Sequence, residues 1–278
     1  MMMCWLAGCS ALKLGYSNGE SVAYWWLNSY IDFEQDQRPM VKQHIADFFA
    51  WHRQNQLPEY AQLVMSEQKR LPRNLTQADV LADYEAFRKR FMLSVEQALP
   101  YFADLALTLQ PHQIANIEKK FASNNEAYRK DNLRGDLEDR QLNRYKKVMK
   151  QAEYWFGNFS RDQERQIRAA SDARPLNNEV WMAIRVRRQQ DLLAVLRKIQ
   201  REKPSRNETI SLLRRYVDTN FEHYGNPDQV PFLDASRDGA ARMVAQIVNI
   251  ATPAQKEHAY KKMQQWIEDC RSLSAPKH

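Results

Sequence analysis

Glycine is scarce in this chain, with seven among 278 residues. That is too few for the glycine-lined phosphate loops of nucleotide folds or for a meander of tight hairpins. The β-branched residues are also sparse, at thirteen Val, eleven Ile and five Thr, which argues against a β-sandwich or barrel. There are three cysteines, Cys4, Cys9 and Cys270, which is no disulfide framework. No apolar run approaches the roughly 20 residues that cross a bilayer. A Gly-x-Ser-x-Gly elbow and a Cys/His set with metal-ligand spacing are both missing, so the familiar catalytic templates have nothing to attach to. What fills the chain instead is Leu, Ala, Gln, Arg, Lys and Glu, residues that lose little rotamer freedom in a helix. A hydrophobic fraction of 44% with 11% aromatics supplies a core and excludes general disorder.

Apolar residues recur at three and four positions, as in Val41, His44, Ile45, Phe48, His52 and in Trp181, Ile184, Arg188, Leu192, Val195, Ile199. The same period runs through Val80, Tyr84, Phe87, Phe91 and through Tyr260, Met263, Trp266, Ile267. These stripes predict amphipathic helices. Six helix starts share a pattern: an apolar or small residue, a capping residue, two more, then Gln, Asp or Glu. Leu75-Thr76-Gln77-Ala78-Asp79, Phe159-Ser160-Arg161-Asp162-Gln163 and Ala251-Thr252-Pro253-Ala254-Gln255 carry it most fully. Phe33 to Gln37, Leu109 to Gln113 and Ser205 to Glu208 are looser copies. In such a capping box the hydroxyl accepts a first-turn N–H and the third helical residue bonds back. The spacing is too irregular for a solenoid, and the fold expected is all-α, an irregular bundle of six to nine amphipathic helices forming one domain over 21–278. Cys270, at helical spacing from Trp266 and Ile267, is expected to be a small buried hydrophobe.

The chain opens with an uncharged apolar stretch that ends in Leu6-Ala7-Gly8-Cys9-Ser10. This resembles a bacterial lipobox, in which a peptidase cuts before the cysteine and its thiol carries a diacylglycerol. The resemblance implies a short signal over 1–8, an acylated tether over 9–20 and Cys9 as the lipidation site. One departure is the lack of Lys or Arg before the apolar stretch, which fits either a start codon lying further upstream or a clipped peptide. In Gram-negative lipoproteins an Asp after the cysteine marks inner-membrane retention, so Ser10 resembles an outer-membrane sorting signal. The expected setting is the outer membrane, facing the periplasm, held by acyl chains that contribute about 0.8 kcal/mol per buried methylene. Its partners there would be the membrane and an envelope protein or anionic envelope polymer; nucleic acid is not expected.

Two further resemblances concern the body. The helix starts are similar to the Leu-Thr-x-x-Gln signature of the Spy and CpxP family of periplasmic helical proteins, which implies a chaperone-like or adaptor role. The segment Trp51-His52-Arg53-Gln54-Asn55-Gln56-Leu57-Pro58-Glu59-Tyr60, following Gly15-Tyr16-Ser17-Asn18, resembles a large proteobacterial lipoprotein family known only as a domain of unknown function. That likeness spans most of the chain and implies no activity.

Among chemical candidates, His44 and His52 share one predicted helix face without metal-ligand spacing, and neither a metal nor a cofactor is expected. His52, Arg53 and Glu59 are a polar site if they converge at a helix corner, the basis of an alternative reading as an envelope hydrolase. Asp131, Asp136, Glu138 and Asp139 alternate with Arg129, Lys130, Arg134 and Arg140, which predicts a solvated face on one helix. The net charge of +7 is matched by the window 185–215 alone, ten basic against three acidic residues. Arg185, Arg187, Arg188, Arg197, Lys198 and Arg201 are its candidate anion-binding face. The function expected is a lipid-anchored, non-catalytic binding role, chaperone-like or scaffolding, in envelope maintenance.

Overall fold

Each of the six capped starts begins a helix, and five of them close complete capping boxes, at Thr76, Gln110, Ser160, Ser205 and Thr252. A computed structural model describes residues 11–222 and 227–275. The described chain contains α1 (Ala11–Ser17), α2 (Gly19–Ile31), α3 (Gln37–Asn55), α4 (Leu57–Arg70), α5 (Gln77–Thr108) and α6 (Pro111–Asn132). It continues with α7 (Leu137–Phe156), α8 (Arg161–Asp172), α9 (Asn178–Glu202), α10 (Arg206–Val217), α11 (Val230–Ile250) and α12 (Pro253–Ser274). A π-helical turn, Asp218–Glu222, and a 3-10 turn, Pro227–Gln229, lie between α10 and α11. The described residues contain no strand.

The all-α class holds, but twelve helices exceed the expected six to nine. The surplus comes from breaks without a Ser/Thr box. α3 passes into α4 at Gln56, two residues before Pro58. The charged stretch 129–140 is split between two helices rather than lying on one: Gly135 adopts a φ of 77°, and Asp136 caps α7 by accepting from the Asp139 N–H at 2.9 Å. Residues 1–8 and the acylation calls at Cys9 and Ser10 lie outside the described residues, while the chain from Ala11 to Ser17, read as tether, is helical.

Four glutamines organise the starts. Gln37, Gln113, Gln163 and Gln255 are all buried, and each accepts, through Oε1, the backbone N–H three residues earlier, at 2.8 to 3.0 Å. Their amides then cross to a second start. Gln37 donates to the Thr108 carbonyl at 3.2 Å and Gln113 to that of Asp32 at 3.1 Å. Gln163 donates to the Ile250 carbonyl at 2.8 Å and Gln255 to that of Asn158 at 2.7 Å. In all four cases the acceptor sits five residues before the partner glutamine. The glutamines also bond each other, at 2.7 Å in the first pair and 2.8 Å in the second. Two equivalent knots therefore staple α3 to α6 and α8 to α12, with the amides of all four glutamines satisfied.

The repetition extends to the whole body. α4 packs on α12 as α9 packs on α6, α2 lies on α3 and α6 as α7 lies on α8 and α12, and α3 meets α5 as α8 meets α11. Buried positions correspond as well: Phe33 with Phe159 and Val41 with Ile167, 126 residues on; Ala103 with Ala245, Leu105 with Ile247, Ala106 with Val248 and Ile117 with Ala259, 142 residues on. The buried apolar residues gather in two large clusters, one around Phe33, Leu109 and Ile199 and one around Phe159, Ile167 and Ala251, each drawing residues from both halves, and in a smaller one between α4 and α12. Each half lends its second start to the other. Asn249 exchanges two hydrogen bonds with the Leu75 backbone, at 2.8 and 2.9 Å, and Lys203 Nζ donates to the Leu107 carbonyl at 3.2 Å.

The start of α5 is clamped to α4 by Arg70, which meets Glu67 at 2.5 Å, Asp79 at 3.8 Å and Asp83. Burial, helped by the neighbouring Asp83 carboxylate, pushes Glu67 from its ordinary 4.5 to about 7. A raised carboxyl pKa means that the folded state holds an extra proton between pH 4.5 and 7. The associated stability is complete below 4.5 and is lost as the pH rises through 7. Glu67→Gln should therefore stabilise the protein by about 1 kcal/mol at pH 8 and leave it unchanged at pH 4. Urea unfolding at the two pH values checks this, and an equal effect at both would rule it out.

Candidate functional site

The halves differ most between their second and third capped starts. From cap to cap the first half runs 34 residues, Thr76 to Gln110, filled by one continuous helix, α5, whereas the second takes 47, from Ser205 to Thr252. Counted from either end, the extra thirteen residues fall between Val217 and Ser236, where helix gives way to the π and 3-10 turns. Beside this break a cleft of about 700 Å³ opens among α5, α9, the π turn and α11.

Aromatic residues line the cleft. Tyr84, Phe87 and Phe91 come from α5, Trp181 from α9 and Phe221 from the π turn, and all five are classed as exposed, Phe91 at 57%. Val244 of α11 adds a sixth large exposed apolar side chain. These side chains form one apolar patch, which a monomer seldom leaves in water without a use. Guanidinium groups edge it. Arg188 lies 4.4 Å above the Phe221 ring, within the range of a cation–π contact. Arg88 pairs with Glu85 at 3.7 Å, and Arg237 meets Asp234 at 3.2 Å and Asp238 at 3.4 Å, so the rim carries both signs. Tyr216, behind Phe221, is pushed up to about 12, chiefly by burial.

The Ser236 hydroxyl lacks what burial normally demands. Ser236 is 8% exposed and lines the cleft, and its Oγ has no hydrogen-bond partner among the described residues. Its counterpart in the first half, Ser94, donates to the Arg90 carbonyl at 3.2 Å. A buried hydroxyl left unmade costs on the order of 1–3 kcal/mol, and a ligand group that bonds it recovers that cost.

The residues singled out by sequence go elsewhere. Tyr16 OH shares a 2.9 Å hydrogen bond with His52 Nδ1, Arg53 pairs with Glu20 at 3.1 Å, and Glu59 pairs with Arg90. Burial, then the charge of Arg53, lowers the His52 pKa, and burial pushes Tyr16 up to about 12. The three side chains thus hold three different partners. His44 contacts Asp104 at 3.6 Å and its ring lies 4.9 Å from that of Tyr101, tilted by 35°, and no metal-binding cluster occurs among the described residues. Cys270 is buried and carries no disulfide.

The basic window is matched in space by carboxylates that lie mostly outside it in sequence. Arg197 meets Glu118 at 2.6 Å, Lys198 meets Glu202 at 3.8 Å, Arg206 meets Asp104 at 2.6 Å and Arg214 meets Glu96 at 2.7 Å. Arg185 donates to Asn125 at 2.8 Å and lies over Tyr128, and Arg187 donates to Gln229 at 3.2 Å. Arg201 is exposed on the last turn of α9. Arg188 is the member of the set that reaches the cleft.

Residues 29–218, more than half of the chain, match the model of a family of unknown function, DUF6279. The chain belongs to that family. No curated protein and no solved structure matches it. The DUF6279 match takes in the α5 and α9 walls of the cleft and ends at Asp218, where the π turn begins. In the sequence the α5 wall reads as an ordinary stripe; the signal that sets it apart is the longer second half, visible once the six starts are aligned as two sets of three.

Proposed function

We propose that this DUF6279 protein is a lipid-anchored, non-catalytic docking protein of the bacterial envelope, acylated on Cys9, and that the aromatic cleft is its working surface. Ser236, a buried hydroxyl without a partner among the described residues, set in a mainly aromatic cleft, is the observation that carries the binding role. The composition of the cleft supports a protein partner: Trp, Tyr and Arg are enriched at binding hot spots, and a rim of mixed charge suits orientation more than bulk attraction. A side chain or segment that is apolar and bears one hydrogen-bonding group would fill it. The lipobox-like Leu6-Ala7-Gly8-Cys9 supports the anchor, and Ser10 supports outer-membrane sorting. Separate partners for His52, Arg53 and Glu59 weigh against the hydrolase alternative.

Photo-crosslinking tests the docking role. A benzophenone side chain in place of Phe91, in cells that carry the intact protein, should give one or a few discrete adducts, which Trp181→Ser reduces several-fold. A broad smear of adducts would favour the chaperone-like version, and no adduct would sink the reading. Palmitate labelling tests the anchor: label is expected in the wild type and absent in Cys9→Ala, and equal labelling would remove Cys9 from the account.

A further inference from the structure

α2 carries a second exposed apolar face, distant in sequence from the cleft walls. Val22, Trp25 and Trp26 are 62%, 67% and 58% exposed. Phe102 of α5, also exposed, lines the same apolar hollow as Trp26. The fold does not require this face. In α7, the counterpart of α2 in the second half, the positions 126 residues on are Gln151 in place of Trp25 and the buried Ala152 in place of Trp26. The two indoles are therefore a feature of this face alone, as the longer connection is of the cleft.

Basic groups flank the indoles. Lys42 borders the same shallow depression as Trp25 and lies 5.2 Å from the Tyr24 ring centroid. On the other side Lys120 lies 5.7 Å from the centroid of Tyr30, whose ring is 5.0 Å from that of Trp26. Of the nearby carboxylates, Glu20 is paired with Arg53 and Glu34 with His112, at 3.1 and 3.0 Å. Paired indoles between ammonium groups match the headgroup layer of a bilayer, where an amphipathic ring sits at the boundary and Lys meets anionic phosphate. The described chain begins at Ala11, with α1 leading directly into α2, so the face lies within a few helical turns of Cys9.

We infer that the Val22, Trp25 and Trp26 face of α2 seats the protein on an anionic lipid surface. This is a second attachment besides the Cys9 anchor, and it fixes how the body sits on the membrane. It does not depend on acylation, so it is tested on the full chain carrying Cys9→Ala. That chain is expected to float with vesicles of phosphatidylethanolamine and phosphatidylglycerol. Adding Trp25→Ser and Trp26→Ser should weaken flotation by about tenfold or more with an unchanged far-ultraviolet circular dichroism spectrum. Adding Lys42→Glu and Lys120→Glu instead should weaken it on phosphatidylglycerol vesicles and not on neutral ones. Every chain in the series keeps the same apolar residues 1–8, so insertion of that segment cannot account for a difference. Equal flotation of the parent and the double tryptophan variant would overturn the inference. So would sedimentation showing a dimer of the parent that the tryptophan changes convert to monomer, since the face would then belong to a second copy of the chain. Loss of palmitate labelling in the wild type would refute the Cys9 anchor and leave this result standing.

Discussion

Gln113→Ala should lower the stability of the protein by about 3–4 kcal/mol, a loss of roughly 6–15 °C in Tm for a chain of this size. The side chain is fully buried and takes part in four hydrogen bonds: from the Gln110 N–H, from Gln37, to the Asp32 carbonyl and to Gln37. Truncation strands the Gln37 amide and two backbone groups away from water, and stranded groups cost more than the mean worth of a hydrogen bond. Gln255→Ala removes the equivalent four from the second knot and should cost the same within about 1 kcal/mol. Combining Gln37→Ala with Gln113→Ala should cost clearly less than the sum of the two single changes, because each single change already breaks the shared pair. Urea unfolding of the four variants provides the comparison. A cost below about 1 kcal/mol for Gln113→Ala would mean that the knots do not hold the starts together.

The second large effect concerns two phenylalanines of equal size in opposite surroundings. Phe33 is 1% exposed in the first core, next to the knot, and Phe33→Ala should cost about 3–5 kcal/mol through lost burial and the cavity left behind. Phe91 is 57% exposed in the cleft, and Phe91→Ala should change stability by no more than about 0.5 kcal/mol while weakening partner capture several-fold. Thermal unfolding and pull-down of the crosslinked partner, measured on the same two variants, separate the roles. If Phe91→Ala destabilised the protein as much as Phe33→Ala, the cleft would be part of the core.

Much of the fold was legible in the sequence because capping is a local interaction. Thr76, Ser160, Ser205 and Thr252 announce their helices within four residues, and all four boxes close as read. The pairing of the starts was not legible. Gln37 and Gln113 are 76 residues apart, and Gln163 and Gln255 are 92 apart, beyond the reach of any local pattern. The cleft was hidden for a different reason. Val80, Tyr84, Phe87 and Phe91 form an apolar stripe, and helical periodicity reports that a face is apolar without saying whether protein covers it. His52, Arg53 and Glu59 show the reach of the fold beyond local sequence. They looked like one site because they are close in sequence, yet their partners, Tyr16, Glu20 and Arg90, come from three other helices. In the same way the basic window looked unopposed because Glu96, Asp104 and Glu118 lie far from it along the chain.

The exchange of second starts between the halves bears on how the polypeptide is completed. Leu75 finds its hydrogen-bonding neighbour at Asn249, and Lys203 finds its own at Leu107. Neither half closes its own end, so a ribosome must release nearly the entire chain before the first-made portion is finished. Severing the link between α6 and α7 should yield two fragments that are each incompletely ordered alone and regain structure when mixed, a complementation pair rather than a pair of domains.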